Sequence, residues 1–96
     1  MKPNDPGLAE RPTLVPFARF RWDELRRQHQ IVFPEGVIVL NQTAAVIVEH
    51  CDGRTVDRLV AAVGKRFDSD VGVLDDVLDI LIQLNEKGLL QDAGAA

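Results

Sequence analysis

The residues best suited to chemistry in this 96-residue chain include the run His50-Cys51-Asp52. An imidazole, a thiol and a carboxylate side by side suggest a metal site or an activated cysteine. Neighbouring side chains on a helix point in different directions, however, so consecutive residues rarely converge on one ion. His29 is the chain's other histidine, and Cys51 is its single cysteine. We therefore predict no metal, no cofactor and a packed cysteine at a helix end.

Paired carboxylates form the second candidate site, at Asp75-Asp76 and Asp79. Asp75 and Asp79 share one helix face at i, i+4, and paired carboxylates can perform general acid–base catalysis. No nucleophile, glycine-rich loop or phosphate cradle accompanies them in the sequence. The pattern favours a solvated acidic face, with a docking surface for basic residues as the alternative. We predict that the protein is not an enzyme and has no catalytic residues.

Three short strands are predicted ahead of the helices, near residues 17–23, 29–34 and 36–40. Phe20 and Trp22 alternate with charged residues, which is the period of a half-buried strand. The link over 24–28 is charged and loop-like, and Pro34–Gly36 suits a tight turn. Short links between sequential strands favour an antiparallel meander, so the first and third strands become its edges.

Three helices are predicted to follow, over about residues 42–51, 55–67 and 70–87. Asn41 and Thr55 are suitable N-caps for the first two, and Gly88 suits the position after the third. The predicted fold class is therefore α+β, a three-stranded antiparallel sheet followed by three helices.

The third helix carries more apolar residues than a small core needs. They are Val73, Leu74, Val77, Leu78, Ile80, Leu81, Ile82 and Leu84. An apolar arc of about 100° is enough for one helix to cover a core. The surplus predicts a further contact, with a partner, a dimer mate or a peptide.

The composition describes one modest domain. Apolar residues make up 46% of the chain, which is ordinary for a globular protein. No apolar run approaches the roughly 20 residues of a membrane span, and the first residues lack the layout of a secretion signal. A single cysteine suits a reducing compartment. We therefore expect a cytoplasmic protein with no membrane partner.

The two ends of the chain are expected to lie outside the folded domain, which should span residues 17–92. Four of the five prolines fall within residues 1–16, and proline cannot donate to a strand ladder. We predict a flexible, extended and largely unpaired arm over residues 1–16, and a frayed tail over residues 93–96.

The first strand and the link that follows it carry the only tryptophan and the main basic concentration of the chain. A sole tryptophan on a strand is usually a partly buried anchor, with a partner-facing role as the alternative for Trp22. The basic residues are Arg19, Arg21, Arg26 and Arg27. Half of these arginines are expected on the solvent-exposed face of the first strand. The alternative is that they contact an acidic partner.

A DNA-binding winged helix is the rival function, because the second and third helices and their short link mimic a helix-turn-helix. A recognition helix presents basic or amide side chains to base edges. Between residues 68 and 87 the only base is Lys87, against the acids Asp68, Asp70, Asp75, Asp76, Asp79 and Glu86. The net charge of −4 also opposes phosphate binding. We predict no nucleic-acid partner, whereas retention on a heparin column at low salt would favour the rival.

In order and spacing, residues 22–53 resemble the pyrroloquinoline quinone (PQQ) biosynthesis protein D family, PqqD. The resemblance rests on Trp22-Asp23, Phe33-Pro34-Glu35, Leu40-Asn41 with Ala44-Ala45 after it, and Cys51-Asp52-Gly53. The helical remainder, through Gly88-Leu89-Leu90, also fits the family. The resemblance covers about residues 17–92.

This resemblance implies a non-catalytic peptide chaperone. Members of the family bind the ribosomally made precursor peptide PqqA and present it to the radical S-adenosylmethionine (SAM) enzyme PqqE, which joins a glutamate to a tyrosine within the peptide. The implied fold is the winged-helix-like recognition element of enzymes that modify ribosomal peptides.

The expected binding site follows from the edge strand and the third helix. Val37–Leu40 is an uncharged free edge, to which a peptide can add as a fourth strand. The third helix is expected beside this edge, where its apolar stripe would bound a groove for alternate peptide side chains. The expected site residues are Val37, Ile38, Val39, Leu40, Leu74, Val77, Leu78 and Leu81. The free edge and the N-terminal arm also predict a monomer or a weak dimer.

Overall fold

A computed structural model of the protein describes residues 9–94. Its elements in chain order are β1 (Pro12–Leu14), β2 (Arg19–Asp23), β3 (Gln28–Phe33), β4 (Gly36–Leu40), α1 (Gln42–Glu49), α2 (Val56–Phe67), α3 (Val73–Glu86) and β5 (Leu90–Asp92). The strands β2, β3 and β4 form one antiparallel sheet in that order. The predicted α+β class, with a three-stranded antiparallel sheet followed by three helices, is confirmed. None of the helices described is long and apolar enough to cross a membrane.

A second, two-stranded ribbon joins the two ends of the described chain. β1 pairs antiparallel with β5, in the register Pro12↔Asp92 and Leu14↔Leu90. The prediction of a largely unpaired arm is therefore wrong at residues 12–14, while residues 1–8 lie outside the described part. Pro12 is tolerated because its buried ring lies in a short edge ladder. The tail is also tied at Ala93, whose N–H donates to the Arg11 carbonyl at 2.9 Å; residues 95–96 lie outside the described part.

The Asp92 carboxylate fixes the turn at the end of this ribbon. It accepts the backbone N–H groups of Glu10 at 3.3 Å, Arg11 at 3.2 Å and Gly94 at 2.9 Å. The hydrogen bond from Gly94 is the largest influence on this group, and it holds the pKa of Asp92 below its ordinary value against the opposing effect of burial. One ionised side chain thus connects segments from both ends of the domain.

The three-stranded sheet has two different faces, because successive strand residues point to opposite sides. We call the inner face the side that packs on the helices; its central residues include Ile31, which is fully buried, and Leu40. We call the outer face the opposite side. Its residues are Arg19, Arg21, Asp23, Gln28, Gln30, Val32, Val37 and Val39.

Helix α1 lies at the centre of the core. All residues from Ala44 to Val48 are buried, so the helix is covered on every side. Asn41 begins it, since its side chain accepts the Ala44 N–H at 2.8 Å. One face of α1 packs with the sheet in a cluster that includes Ile31 and Leu84. Another face packs with α2 and α3 in a second cluster.

A matched pair of leucines tests this assignment of the core. Leu59 of α2 is 0% exposed, whereas Leu25 in the β2–β3 turn is 85% exposed. We expect Leu59→Ala to lower the free energy of unfolding by about 2–5 kcal/mol, because it leaves a cavity. Leu25→Ala should change it by less than about 0.5 kcal/mol. Urea unfolding followed by circular dichroism measures both, and equal effects would contradict the placement of Leu59.

The acid stability of the domain should depend on Asp92. Its pKa is lowered in the folded protein, so the unfolded chain binds the proton more readily. The stabilisation is therefore present above the unfolded pKa and is lost as pH falls below about 4. We expect Asp92→Asn to melt at a lower temperature at neutral pH and to lose less stability between neutral and acid pH. Asp79→Asn, at an exposed position on α3, is the control. A parent-like acid profile in the Asp92 variant would refute this role.

Candidate functional site

The outer edge of β4 is open. Among the described residues β4 pairs with β3 alone. The hairpin has a two-residue loop closed by the pair Phe33↔Gly36, and in such a loop the closing pair is hydrogen-bonded. Hydrogen-bonded and non-bonded pairs then alternate along the ladder. Ile38, opposite Ile31, therefore directs its N–H and C=O inward to β3.

Val37 and Val39 occupy the alternate positions and direct their backbone N–H and C=O groups away from β3. Two donors and two acceptors consequently line this edge without a strand partner among the described residues. The strand has no charge and no proline, the usual features that prevent another chain from pairing. Chemically, the edge can accept an extended peptide backbone.

The four predicted residues of this strand divide between the two faces of the sheet. Val37 and Val39 lie on the outer face and are 52% and 58% exposed. Ile38 is half-buried against the inner-face cluster, and Leu40 is a buried member of it. Leu40 therefore supports the edge from the core and has no surface to offer a ligand.

Helix α3 carries two apolar stripes, only one of which reaches the surface. Val77 and Leu81 are 0% and 1% exposed and pack against α1 and α2. The structure thus corrects their expected place on a groove, because i, i+4 spacing puts both on the core side. Leu74 is 51% exposed, Leu78 is half-buried, and Ile82, which the expected site omitted, is 43% exposed.

We call Leu74, Leu78 and Ile82 the α3 stripe. Their i, i+4, i+8 spacing puts them on one side of the helix, next to the buried residues. The expected groove combined two residues of this stripe, Leu74 and Leu78, with Val77 and Leu81, which pack in the core. The edge strand and α3 share one cluster of the core, since Leu40 of β4 and Leu84 of α3 both belong to it.

The cluster around Cys51 has no features of a reactive site. The Cys51 thiol is buried, as predicted, and donates to the Ile47 carbonyl at 3.3 Å. Burial, reinforced by the nearby Asp52 carboxylate, raises the pKa of Cys51 to about 12, so the thiol stays protonated. His50 Nδ1 lies 2.8 Å from the Val46 carbonyl.

The Asp52 carboxylate of this cluster forms an ion pair with Arg54 and does not contact the thiol through a hydrogen bond among the described residues. Arg54 donates to its two carboxylate oxygens at 2.9 and 2.8 Å, and this bidentate contact is the main reason that the pKa of Asp52 is lowered. Within residues 9–94, no group of three histidine, cysteine or acidic side chains is arranged to hold a metal ion.

The acids of α3 lie on its solvent side. Asp75, Asp76 and Asp79 are all exposed, opposite the stripe that packs the core. Asp75 and Asp76 occupy the first turn, where carboxylates favour the helix dipole. A recognition helix would present cations there, so the geometry argues against contact with DNA phosphates.

Trp22 is partly exposed at the end of the inner face. Its indole meets the His29 ring edge-on, with 4.8 Å between ring centroids, and its Nε1–H donates to Glu24 at 3.3 Å. His29 also stacks on Phe20, with centroids 5.4 Å apart. Trp22 thus packs on His29 but leaves 42% of its surface exposed and belongs to neither core cluster, so its role as an anchor or as a partner-facing residue stays a prediction.

The arginines of the β2 region are in two different environments. Arg26 and Arg27 form ion pairs of 3.3 Å with Asp23 and Glu24. Arg19 and Arg21 are exposed on the outer face, and neither is in an ion pair within the described range. This difference leaves two cations on the outer face along β2, which is separated from β4 by β3.

Asp23, the last residue of β2, stabilises the turn between β2 and β3. Its carboxylate accepts the N–H groups of Leu25 and Arg26, at 3.1 and 3.3 Å, and the Gln30 side chain at 3.0 Å. Burial is the largest single influence and raises the pKa of Asp23, but the hydrogen bonds from Arg26 and Leu25 outweigh it and leave the pKa below its ordinary value.

Comparison with known proteins agrees with this arrangement of strands and helices. Residues 28–90 match the family described as coenzyme PQQ synthesis protein D (PqqD). The "PqqA binding protein" of Azotobacter vinelandii is 34% identical over 85 residues, which are 88% of this chain and 92% of the relative. The "PqqA binding protein" of Klebsiella pneumoniae is 42% identical over 64 residues, which are 66% of this chain and 70% of the relative.

Two further matches are a longer protein and a solved structure. The "Bifunctional coenzyme PQQ synthesis protein C/D" of Methylorubrum extorquens is 32% identical over 82 residues, covering 83% of this chain and 22% of that protein. The solution NMR structure of the PqqD truncation of Methylobacterium extorquens PqqCD, described as a stand-alone recognition element for ribosomally synthesized and post-translationally modified peptides, is 30% identical. It superposes with a TM-score of 0.70 over 83% of this chain and 87% of that chain. This chain belongs to the coenzyme PQQ synthesis protein D family.

Proposed function

We propose that this protein binds the precursor peptide PqqA in PQQ biosynthesis and presents it to the radical SAM enzyme PqqE. Its role is one of binding, without a reaction of its own. The observation that carries the proposal is the uncharged edge of β4, whose Val37 and Val39 direct backbone groups outward. The names of the relatives as PqqA binding proteins support the choice of peptide.

In the proposed complex the peptide adds to β4 as a fourth strand of the sheet. The two residues that direct backbone groups outward, Val37 and Val39, provide four hydrogen-bonding positions. Alternate peptide side chains then fall on the two faces of the extended sheet. We propose that those on the inner side meet the α3 stripe; α3 reaches the cluster that holds Leu40 of β4 through Leu84.

Simple magnitudes support reversible binding. Four backbone hydrogen bonds contribute about 4 kcal/mol. Burial of about 300 Å² of apolar surface contributes about 7 kcal/mol. Ordering the peptide costs several kcal/mol, which leaves an affinity of about micromolar. Such an affinity suits a protein that must also release the peptide.

Presentation to PqqE is supported by the way the family occurs in other proteins. A PqqD-like segment is part of the bifunctional C/D protein of Methylorubrum extorquens, so this unit works attached to another protein of PQQ synthesis there. We place the protein in the cytoplasm, where the free thiol of Cys51 stays reduced. Self-pairing of the β4 edge, as a monomer–dimer equilibrium, would compete with the peptide.

Two proline substitutions test strand addition at β4. Val39→Pro deletes an N–H that points away from β3, so the domain should stay folded while one donor for the peptide is lost. We expect its melting temperature to stay near that of the parent and its affinity for PqqA to fall about tenfold or more, which corresponds to about 1.4 kcal/mol. Ile38→Pro deletes an N–H bonded to β3 and should unfold or strongly destabilise the domain. Circular dichroism and isothermal titration with PqqA measure the two effects.

The Val39→Ala variant is the matched control, because it removes the same isopropyl group and keeps the N–H. It should bind more tightly than Val39→Pro. A folded Val39→Pro variant that binds PqqA as tightly as the control would rule out strand addition at this edge.

A second prediction separates the two stripes of α3. Leu74→Gln and Ile82→Gln change exposed side chains, so each should keep its stability within about 0.5 kcal/mol but weaken PqqA binding about threefold to tenfold by removing apolar contact. Val77→Ala should lower stability by about 1–3 kcal/mol while its folded fraction binds PqqA normally. Urea unfolding and titration at a temperature where all variants are folded give both quantities. Normal binding by both glutamine variants would exclude the α3 stripe from the site.

A further inference from the structure

The outer face of the sheet is exposed along its edge strands, at Arg19 and Arg21 of β2 and at Val37 and Val39 of β4, whereas Gln30 between them is buried. It carries two rows of side chains across the strands, Arg19–Val32–Val37 and Arg21–Gln30–Val39. Val37 and Val39 expose more than half of their surface, and Val32 between the strands is half-buried. An antiparallel sheet often leaves one face to solvent, but that face is then usually polar. Here three valines form its apolar half.

The exposed charges on this face are all positive. Arg19 and Arg21 stand on β2 at the far side of the valines, and neither forms an ion pair among residues 9–94. The one carboxylate of the face, Asp23, is buried and held by Arg26 and Gln30. The outer face is therefore basic along β2 and apolar along β4.

This local charge is opposite to that of the whole chain, whose net charge is −4. Helix α3 is acidic on its exposed side, through Asp75, Asp76, Asp79 and Glu86. The surface charge is therefore distributed asymmetrically, with exposed cations on the outer face and exposed anions on α3. A partner with a cluster of carboxylates would be attracted to the outer face and repelled from α3.

We propose that the outer face is a docking surface for a protein partner that presents carboxylates beside an apolar patch. This partner is the radical SAM enzyme that receives the peptide, an identification that rests on the proposed function. A peptide added to β4 would place every second side chain on the same face, next to Val37 and Val39. The docked enzyme therefore contacts both the carrier and the outward side chains of its cargo.

A second copy of the chain fits this face less well. Two outer faces packed on each other bring four arginines into one interface, where like charges repel. An outer face packed on the acidic side of α3 of the next copy is complementary, but it is a heterologous contact that leads to rings or open chains of many copies. A separate acidic partner satisfies the arginines without either consequence.

The test uses two double charge reversals with the same change in net charge. Arg19→Glu/Arg21→Glu alters the outer face, and Arg58→Glu/Lys65→Glu alters exposed positions on α2. Binding of each full-length variant to PqqE is measured by biolayer interferometry, with and without PqqA, at about 50 and about 300 mM salt. Binding of PqqA alone is measured by titration, and the oligomeric state by light scattering.

We expect the outer-face variant to bind PqqE about tenfold or more weakly at low salt, with a smaller difference at high salt. The α2 variant should stay within about threefold of the parent, and both should bind PqqA within about threefold of the parent. Parent-like PqqE binding by the outer-face variant would overturn the inference and leave peptide binding untouched. Failure of the parent to bind PqqE overturns it as well. A change in oligomeric state alone would identify a second copy as the occupant and reject the enzyme.

A parent that fails to bind PqqA, but whose outer-face variant still loses PqqE, would instead reject the proposed peptide function. The two failures are thus distinguished by separate measurements. PqqA binding and PqqE binding without PqqA are separate measurements, so a loss of one can be told from a loss of the other.

Discussion

The pairing of Ile31 with Ile38 is the contact on which the rest of the geometry depends. Ile31 is fully buried at the centre of the inner face, and its partner Ile38 packs on the same cluster. A slip of one residue would move every side chain of β4 to the opposite face. Valines would then enter the core, and Ile38 and Leu40 would face solvent. The apolar core therefore fixes which backbone groups of β4 point outward, through the side chains of Ile38 and Leu40.

The same pairing explains why a strand can be stable while one of its edges is open. Leu40 ends β4 inside the core, and Asn41 begins α1 immediately after it. Helix α1 is buried on all sides, so the end of β4 is held by the most protected element of the domain. A bound peptide would therefore meet a rigid edge, and little ordering of the protein would oppose its binding.

Local patterns predicted the elements that form from neighbouring residues. The alternation at Phe20 and Trp22, the turn at Pro34–Gly36 and the caps at Asn41 and Thr55 all appear in the structure. The ribbon of β1 and β5 was not predictable in this way, because its partners are far apart in sequence. Proline at residue 12 indicated an unpaired arm, yet an edge strand tolerates it when its ring is buried.

The candidate site was predictable only in part, because local patterns do not show how the helices pack on one another. Composition and period indicated the free β4 edge and the surplus of apolar residues on α3. They could not decide which of two adjacent stripes on α3 faces the core, since both have i, i+4 spacing. That choice depends on how α1 and α2 pack against α3, and both helices contact Val77 and Leu81 in one core cluster. Leu74, Leu78 and Ile82 are left at the surface as a consequence of helix packing.

The placement of charge follows from the same division of faces. The helices pack on the inner face of the sheet or on one another. None of the helices described is therefore left to cover the outer face. Arg19 and Arg21 keep that face soluble, while Val37 and Val39 remain apolar next to the open edge. A peptide that pairs with β4 would hide the backbone groups of this edge but not its valines. Peptide binding therefore removes the edge as a site of self-pairing and leaves the valines as the apolar surface on which a second protein can bind.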